Sequence, residues 1–136
     1  MAKHVLDFFP TFDFEIIGIC CHFKEYRLSW ALNKSLGLAL EKCKVGVPEP
    51  FRGKTIHFCL YKSEDLDNQK VVHLLQNKQG ACTFVPGLKH IDYFLLVFEH
   101  RQSENLIREL RKIPEILTAV LLDPEQDKDL EKLIYE

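Results

Sequence analysis

Two kinds of apolar spacing alternate along the chain, one filling consecutive positions and one recurring every third or fourth, and their succession predicts the elements. Phe14 to Cys21, FEIIGICC, is apolar on both faces and rich in β-branched residues, the pattern of a strand covered on two sides and placed mid-sheet. It runs straight into the longest predicted helix. There Leu28, Ala31, Leu32, Leu36 and Ala39 recur at spacings of three and four, which puts them on one stripe facing the sheet. Tyr26, Trp30, Asn33 and Gly37 fall on a different side. An aromatic pair at i, i+4 off the core stripe is either covered by a loop of its own chain or used as an interface, and cover is the commoner fate of aromatic surface.

The remaining segments follow in order. Ahead of this unit, Lys3 to Phe9 reads as a short strand or arm, set apart by Pro10-Thr11. Cys43 to Gly53, with Val47-Pro48-Glu49-Pro50, reads as a loop. Lys54 to Lys62 alternates, Ile56, Phe58 and Leu60 on one face and His57, Cys59 and Tyr61 on the other, as a single strand would. Ser63 to Asn68 is a polar connection, and Lys70 to Gln76 fits a hairpin-linked strand better than a helix. Ala81 to Val85 closes at Pro86-Gly87, which suit a type II turn. Ile91 to Glu99 is a buried strand. Ser103 is placed to cap a helix over Glu104 to Lys112, with Leu106, Ile107, Leu110 and Ile113 inward and Pro114 ending it. Ile116 to Leu122 is another strand apolar on both faces. Asp123-Pro124 starts a last helix with Leu130, Leu133 and Ile134 inward. Helices separated by a block of strands give one α+β domain over residues 1–136. The expected form is a two-layer sandwich of a mainly antiparallel sheet with helices on one face, ferredoxin-like with an added strand and a C-terminal helix.

Composition narrows the partners. At 136 residues the chain is one domain's length and can bury a core without staples. With 18 basic and 20 acidic residues, net charge −2, it lacks the basic field that holds a nucleic acid. No apolar run approaches the length that spans a bilayer, and the first ten residues do not read as a secretory signal. Five cysteines without a Cys-x-x-Cys spacing read as buried small hydrophobes, which makes a cytoplasmic protein the expectation.

Val85-Pro86-Gly87-Leu88-Lys89-His90-Ile91-Asp92-Tyr93 resembles the signature of a small bacterial family named for the pattern Ile-Pro-Glu-x-x-x-Val-Asp-Tyr, the IPExxxVDY family. The run Phe14 to Ile19, then Tyr26-Arg27-Leu28 and Ala31-Leu32-Asn33, is similar to it as well. Gly87 stands where the family's name has glutamate, so no role of that glutamate carries over. The resemblance implies a bacterial cytoplasmic protein and no activity. Read from the residues alone, Pro86-Gly87 makes a turn, Asp92 accepts bonds from backbone amides at the strand entry, and Tyr93 offers an apolar body with a hydroxyl to satisfy.

Several chemistries are weighed against that plain reading. Cys20 and His22 share a strand face, as do His57 and Cys59, so four zinc-type ligands would converge only if those strands were neighbours. In a ferredoxin-like order a third strand separates them, so no metal is assigned. A cysteine nucleophile needs an exposed electropositive thiol, and all five cysteines lie among apolar neighbours. Asp123, Glu125, Asp127 and Asp129 imitate a calcium loop, but Lys128 replaces its glycine and Ile134 its closing glutamate. Glycine-rich phosphate loops are absent. His57 and Tyr61 could stack bases, without the basic balance that RNA binding requires. No catalytic residue and no cofactor is assigned. The leading reading is a non-enzymatic interaction or regulatory module, a homodimer through the Tyr26 and Trp30 side of the first helix or through a sheet edge. The alternative is a small-molecule-binding domain using Arg27, Asn33, Asp92 and Tyr93, and an enzyme built on Cys and His ranks third.

Overall fold

A computed structural model describes residues 14–65, 70–98, 103–124 and 128–133. The arm at Lys3 to Phe9 and the inward Ile134 lie outside them. The elements are β1 (Glu15–Cys20), α1 (Glu25–Leu36), β2 (Glu41–Lys42), β3 (Val47–Phe51), β4 (Lys54–Phe58), β5 (Leu60–Asp65), β6 (Lys70–Gln76), β7 (Lys78–Gln79), β8 (Cys82–Thr83), β9 (Tyr93–Val97), α2 (Ser103–Arg111) and β10 (Thr118–Leu122), with 3-10 turns at Pro86–Leu88 and Lys128–Leu133. Six strands form one antiparallel sheet in the order β10-β1-β9-β6-β5-β2. β1 lies inside it, with Ile17 opposite both Leu95 and Leu121, as its two-faced apolar pattern requires. β9 and β10 flank β1 and run the same way, and α2 crosses from one to the other.

Alternation along these strands sorts the core into two layers. Ile17, Ile19, Tyr61, Val72, Leu74, Tyr93 and Leu95 face α1 and α2, meeting Leu28, Ala31, Leu32, Ile107 and Leu110. Both helices therefore cover one face. Phe14, Ile16, Leu60, Leu75, Phe94 and Leu96 face the other way and meet Val47, Phe58, Phe84, Leu88, Leu130 and Leu133. A third layer of hairpins and 3-10 turns replaces the open face of the expected two-layer sandwich.

Six local expectations change. Val47 to Phe51 is a strand, not a loop: it pairs with β4 through a two-residue turn in which Arg52 and Gly53 both have positive φ, a type I′ geometry. Its prolines stand at alternate positions, opposite His57 and Thr55, so both missing N–H groups fall on the side turned away from β4. The single strand over Lys54 to Lys62 breaks at Cys59, leaving β4 in the hairpin and β5 in the main sheet. Its apolar alternation survives the break. Pro86-Gly87 forms a 3-10 turn, because Gly87 does not take the positive φ that a type II turn needs. The first helix stops at Leu36 with Gly37 in the left-handed conformation at its cap, which leaves Ala39 outside it and exposed. Ile116 to Leu122 yields an edge strand, with Leu117 and Leu121 exposed, and the described part of the C-terminal helix is 3-10.

Candidate functional site

β1 runs into α1 through a four-residue link, residues 21–24, that borders a highly structured polar corner. The segment 84–92 is tied there by Asn77, which is fully buried. Its amide donates to the carbonyls of Leu88 and Ile91 at 3.0 and 2.7 Å and its carbonyl oxygen accepts from the Val85 N–H at 2.9 Å. Its backbone N–H donates to the Asp92 carbonyl and its backbone carbonyl accepts from Phe84. Asp92 is held just as firmly. One carboxylate oxygen accepts from the Cys21 N–H at 2.8 Å and the other lies 3.0 Å from the Lys78 ammonium. Tyr93, buried beneath, donates its hydroxyl to the Phe23 carbonyl at 2.7 Å. Burial, then the neighbouring Cys21, Glu25 and Asp92, push its phenol well above the ordinary value.

These groups enclose an open cleft of about 500 Å3 lined by the link at residues 21–24, Glu25, Gln76, Lys78, Gln79, Gly80, Asp92 and Tyr93. One wall carries the Lys78–Asp92 pair. The other carries a chain of amides: Gln79 donates to Gln76 at 3.0 Å and to the His57 carbonyl at 2.9 Å, and Gln76 donates to Glu25 at 3.5 Å. The Gln76 oxygen also takes the Cys59 N–H, which fixes the break between β4 and β5.

A second surface adjoins the cleft through Phe23. Phe23, Tyr26 and Trp30 are 47%, 63% and 51% exposed, so the described residues do not supply the cover expected for the aromatic pair. The Arg27 guanidinium lies 5.5 Å from the Phe23 ring centre and 5.1 Å from that of Trp30, and the Lys34 ammonium lies 5.0 Å from Trp30. The series runs up one helix side at spacings of four, three and four. Arg27 also pairs with nearly buried Glu115, its two nitrogens 3.1 and 3.0 Å from one oxygen.

Of the six residues named from sequence, Asp92 and Tyr93 share the cleft, and Tyr26, Arg27 and Trp30 share the exposed helix face. Asn33 stands apart, gripping the Leu40 N–H and carbonyl to close the turn after α1. Arg27 belongs to Glu115 and does not line the cleft. Glu25, Gln76, Lys78, Gln79 and Asn77 were not singled out in the sequence, and only their strand neighbours bring them together. Among the described residues no group of three His, Cys, Asp or Glu could hold a metal. β9 and β6 lie between the strand of Cys20 and the strand that follows Cys59. Burial pushes the Cys20, Cys21 and Cys59 thiols up, opposite to what a nucleophile needs. No described helix is long and apolar enough to cross a membrane. Comparison with protein-family models, curated proteins and solved structures returns no match to this chain.

Proposed function

We propose that this chain is a non-enzymatic interaction module that pairs with a second copy of itself through the aromatic face of α1. The observation that carries the reading is the joint exposure of Phe23, Tyr26 and Trp30 around Arg27, the residue types that dominate binding hot spots. Such a face is self-complementary, since rings and cations can interleave across a two-fold axis. The sheet edges fit pairing less well. β2 is only two residues long, and at β10 the Arg111 guanidinium donates twice to the Ala119 carbonyl, at 3.1 and 2.8 Å, both devices that blunt an edge.

Two coarser inferences accompany this. The order β10-β1-β9-β6, with α2 crossing between the strands that flank β1, supports a ferredoxin-like frame to which β5 and β2 add an edge. The five free cysteines fit a reducing compartment such as the cytoplasm.

Light scattering coupled to size-exclusion chromatography tests the pairing. The wild type should elute as a dimer at tens of micromolar, and Trp30→Ala or Tyr26→Ala should weaken it by roughly 2 kcal/mol, about thirtyfold, with circular dichroism unchanged. Arg27→Ala is the wrong probe, because it strands the Glu115 carboxylate. A wild type that stays monomeric overturns the reading.

A further inference from the structure

The cleft carries two charges of opposite sign with unequal partners. Lys78 is 40% exposed at its side chain and spends one of its three donors on Asp92. Among the described residues no other acceptor takes its remaining protons, which face the open cleft. Glu25, half-buried on the facing wall, has no basic partner among the described residues and takes a single 3.5 Å bond from Gln76. Its charge is felt deeper in, where it helps to raise the protons of Tyr93, Tyr61 and Cys59. Gln79 uses both amide hydrogens on protein acceptors, which leaves its carbonyl oxygen as an acceptor beside Gln76. An unmatched carboxylate, an amide oxygen and an aromatic lip at Phe23 suit a ligand ammonium, while the ammonium of Lys78 suits a ligand carboxylate.

We propose that this cleft binds a small zwitterion of the amino-acid type, its ammonium against Glu25 and its carboxylate on Lys78. The open, half-polar cleft has room for such a ligand, since small-molecule pockets span roughly 300–1,000 Å3. The ligand completes Glu25's pairing and exchanges no proton with the protein.

The test is titration of the 15N-labelled chain with a panel of common α-amino acids, and with propylamine and propionate, which carry one half of the charge pattern each. At least one amino acid should move the amide resonances of Glu25, Lys78 and Gly80 saturably at millimolar concentration. Both half-ligands should bind about tenfold more weakly, and Glu25→Gln and Lys78→Met should each weaken the amino acid by about tenfold. If Lys78→Met does not fold, Glu25→Gln, at the first turn of α1, decides alone. No saturable movement with any amino acid, propylamine binding as tightly as the best of them, or an affinity unchanged in Glu25→Gln each overturns the proposal. Trp30→Ala should leave the affinity as it is, so the cleft stands or falls apart from the dimer.

Discussion

Single side chains here settle geometry that no local pattern specifies, and Asn77 is the clearest case. It follows β6 among Lys78, Gln79 and Gly80, where the sequence reads as an ordinary polar turn. Yet it is fully buried and serves five backbone groups of the segment 84–92. Removing its amide leaves the Ile91 carbonyl and the Val85 N–H buried without partners, and the Leu88 carbonyl with only the Ile91 N–H. We expect Asn77→Ala to lose roughly 2–4 kcal/mol, read as a lower urea midpoint with an unchanged slope. It should also loosen the cleft, because Asp92 and Tyr93 follow directly from the pinned segment. Asn77→Ser should recover only part of the loss, as a hydroxyl cannot reproduce two donors and an acceptor. A loss under about 1 kcal/mol in Asn77→Ala would mean that water replaces those bonds.

At the level of elements, what was legible follows from period and what was missed follows from pairing. β1, α1, β9 and α2 are announced by their own apolar spacing, whereas the spacing of β6 fits strand or helix and only the turn residues flanking it favour the strand. β3 was hidden by Pro48 and Pro50, which are allowed only because one side of that strand has no partner. The break at Cys59 was hidden because alternation continues straight through it. Asp92 and Tyr93 were visible as a polar and an aromatic residue entering a strand. The opposite wall of the cleft was invisible, since Glu25, Gln76 and Lys78 meet only through the folded chain. The exposed edge of β10 yields a prediction at this scale. Arg111 covers the Ala119 carbonyl from the end of α2, while Leu121 on that strand and Leu117 just before it stand exposed. Arg111→Ala should change stability by no more than about 1 kcal/mol. It should nevertheless hasten aggregation on warming, seen as an earlier onset of light scattering than in the wild type or in Arg108→Ala. Equal onset in all three would show that the edge needs no such cover.

For the molecule as a whole, the arrangement of one sheet between a helical layer and a layer of hairpins places several weak acids where water is scarce. Cys20, Cys21 and Cys59 hold their protons above the ordinary thiol value of 9.0, and Tyr61 and Tyr93 above the ordinary phenol value of 10.0, in each case chiefly through burial. The unfolded chain releases these protons at the ordinary values, and the folded chain keeps them to higher pH. The unfolded state therefore binds fewer protons in that range, and stability falls as pH rises. It should be unaffected by these groups below about pH 8, begin to decline as thiols ionise in the unfolded chain, and steepen above about pH 10 when the phenols join. Tyr93 shows the largest displacement and sits against the cleft with its hydroxyl on the Phe23 carbonyl. Tyr93→Phe should start less stable near neutral pH, for want of that bond, and then lose stability less steeply than the wild type above about pH 10. The two curves should converge. Urea midpoints taken from neutral pH to about pH 11, together with the ultraviolet absorbance of tyrosinate, decide it. Parallel curves would mean that the Tyr93 proton leaves as easily from the folded chain as from the unfolded one, and that the floor of the cleft is wetter than its packing implies.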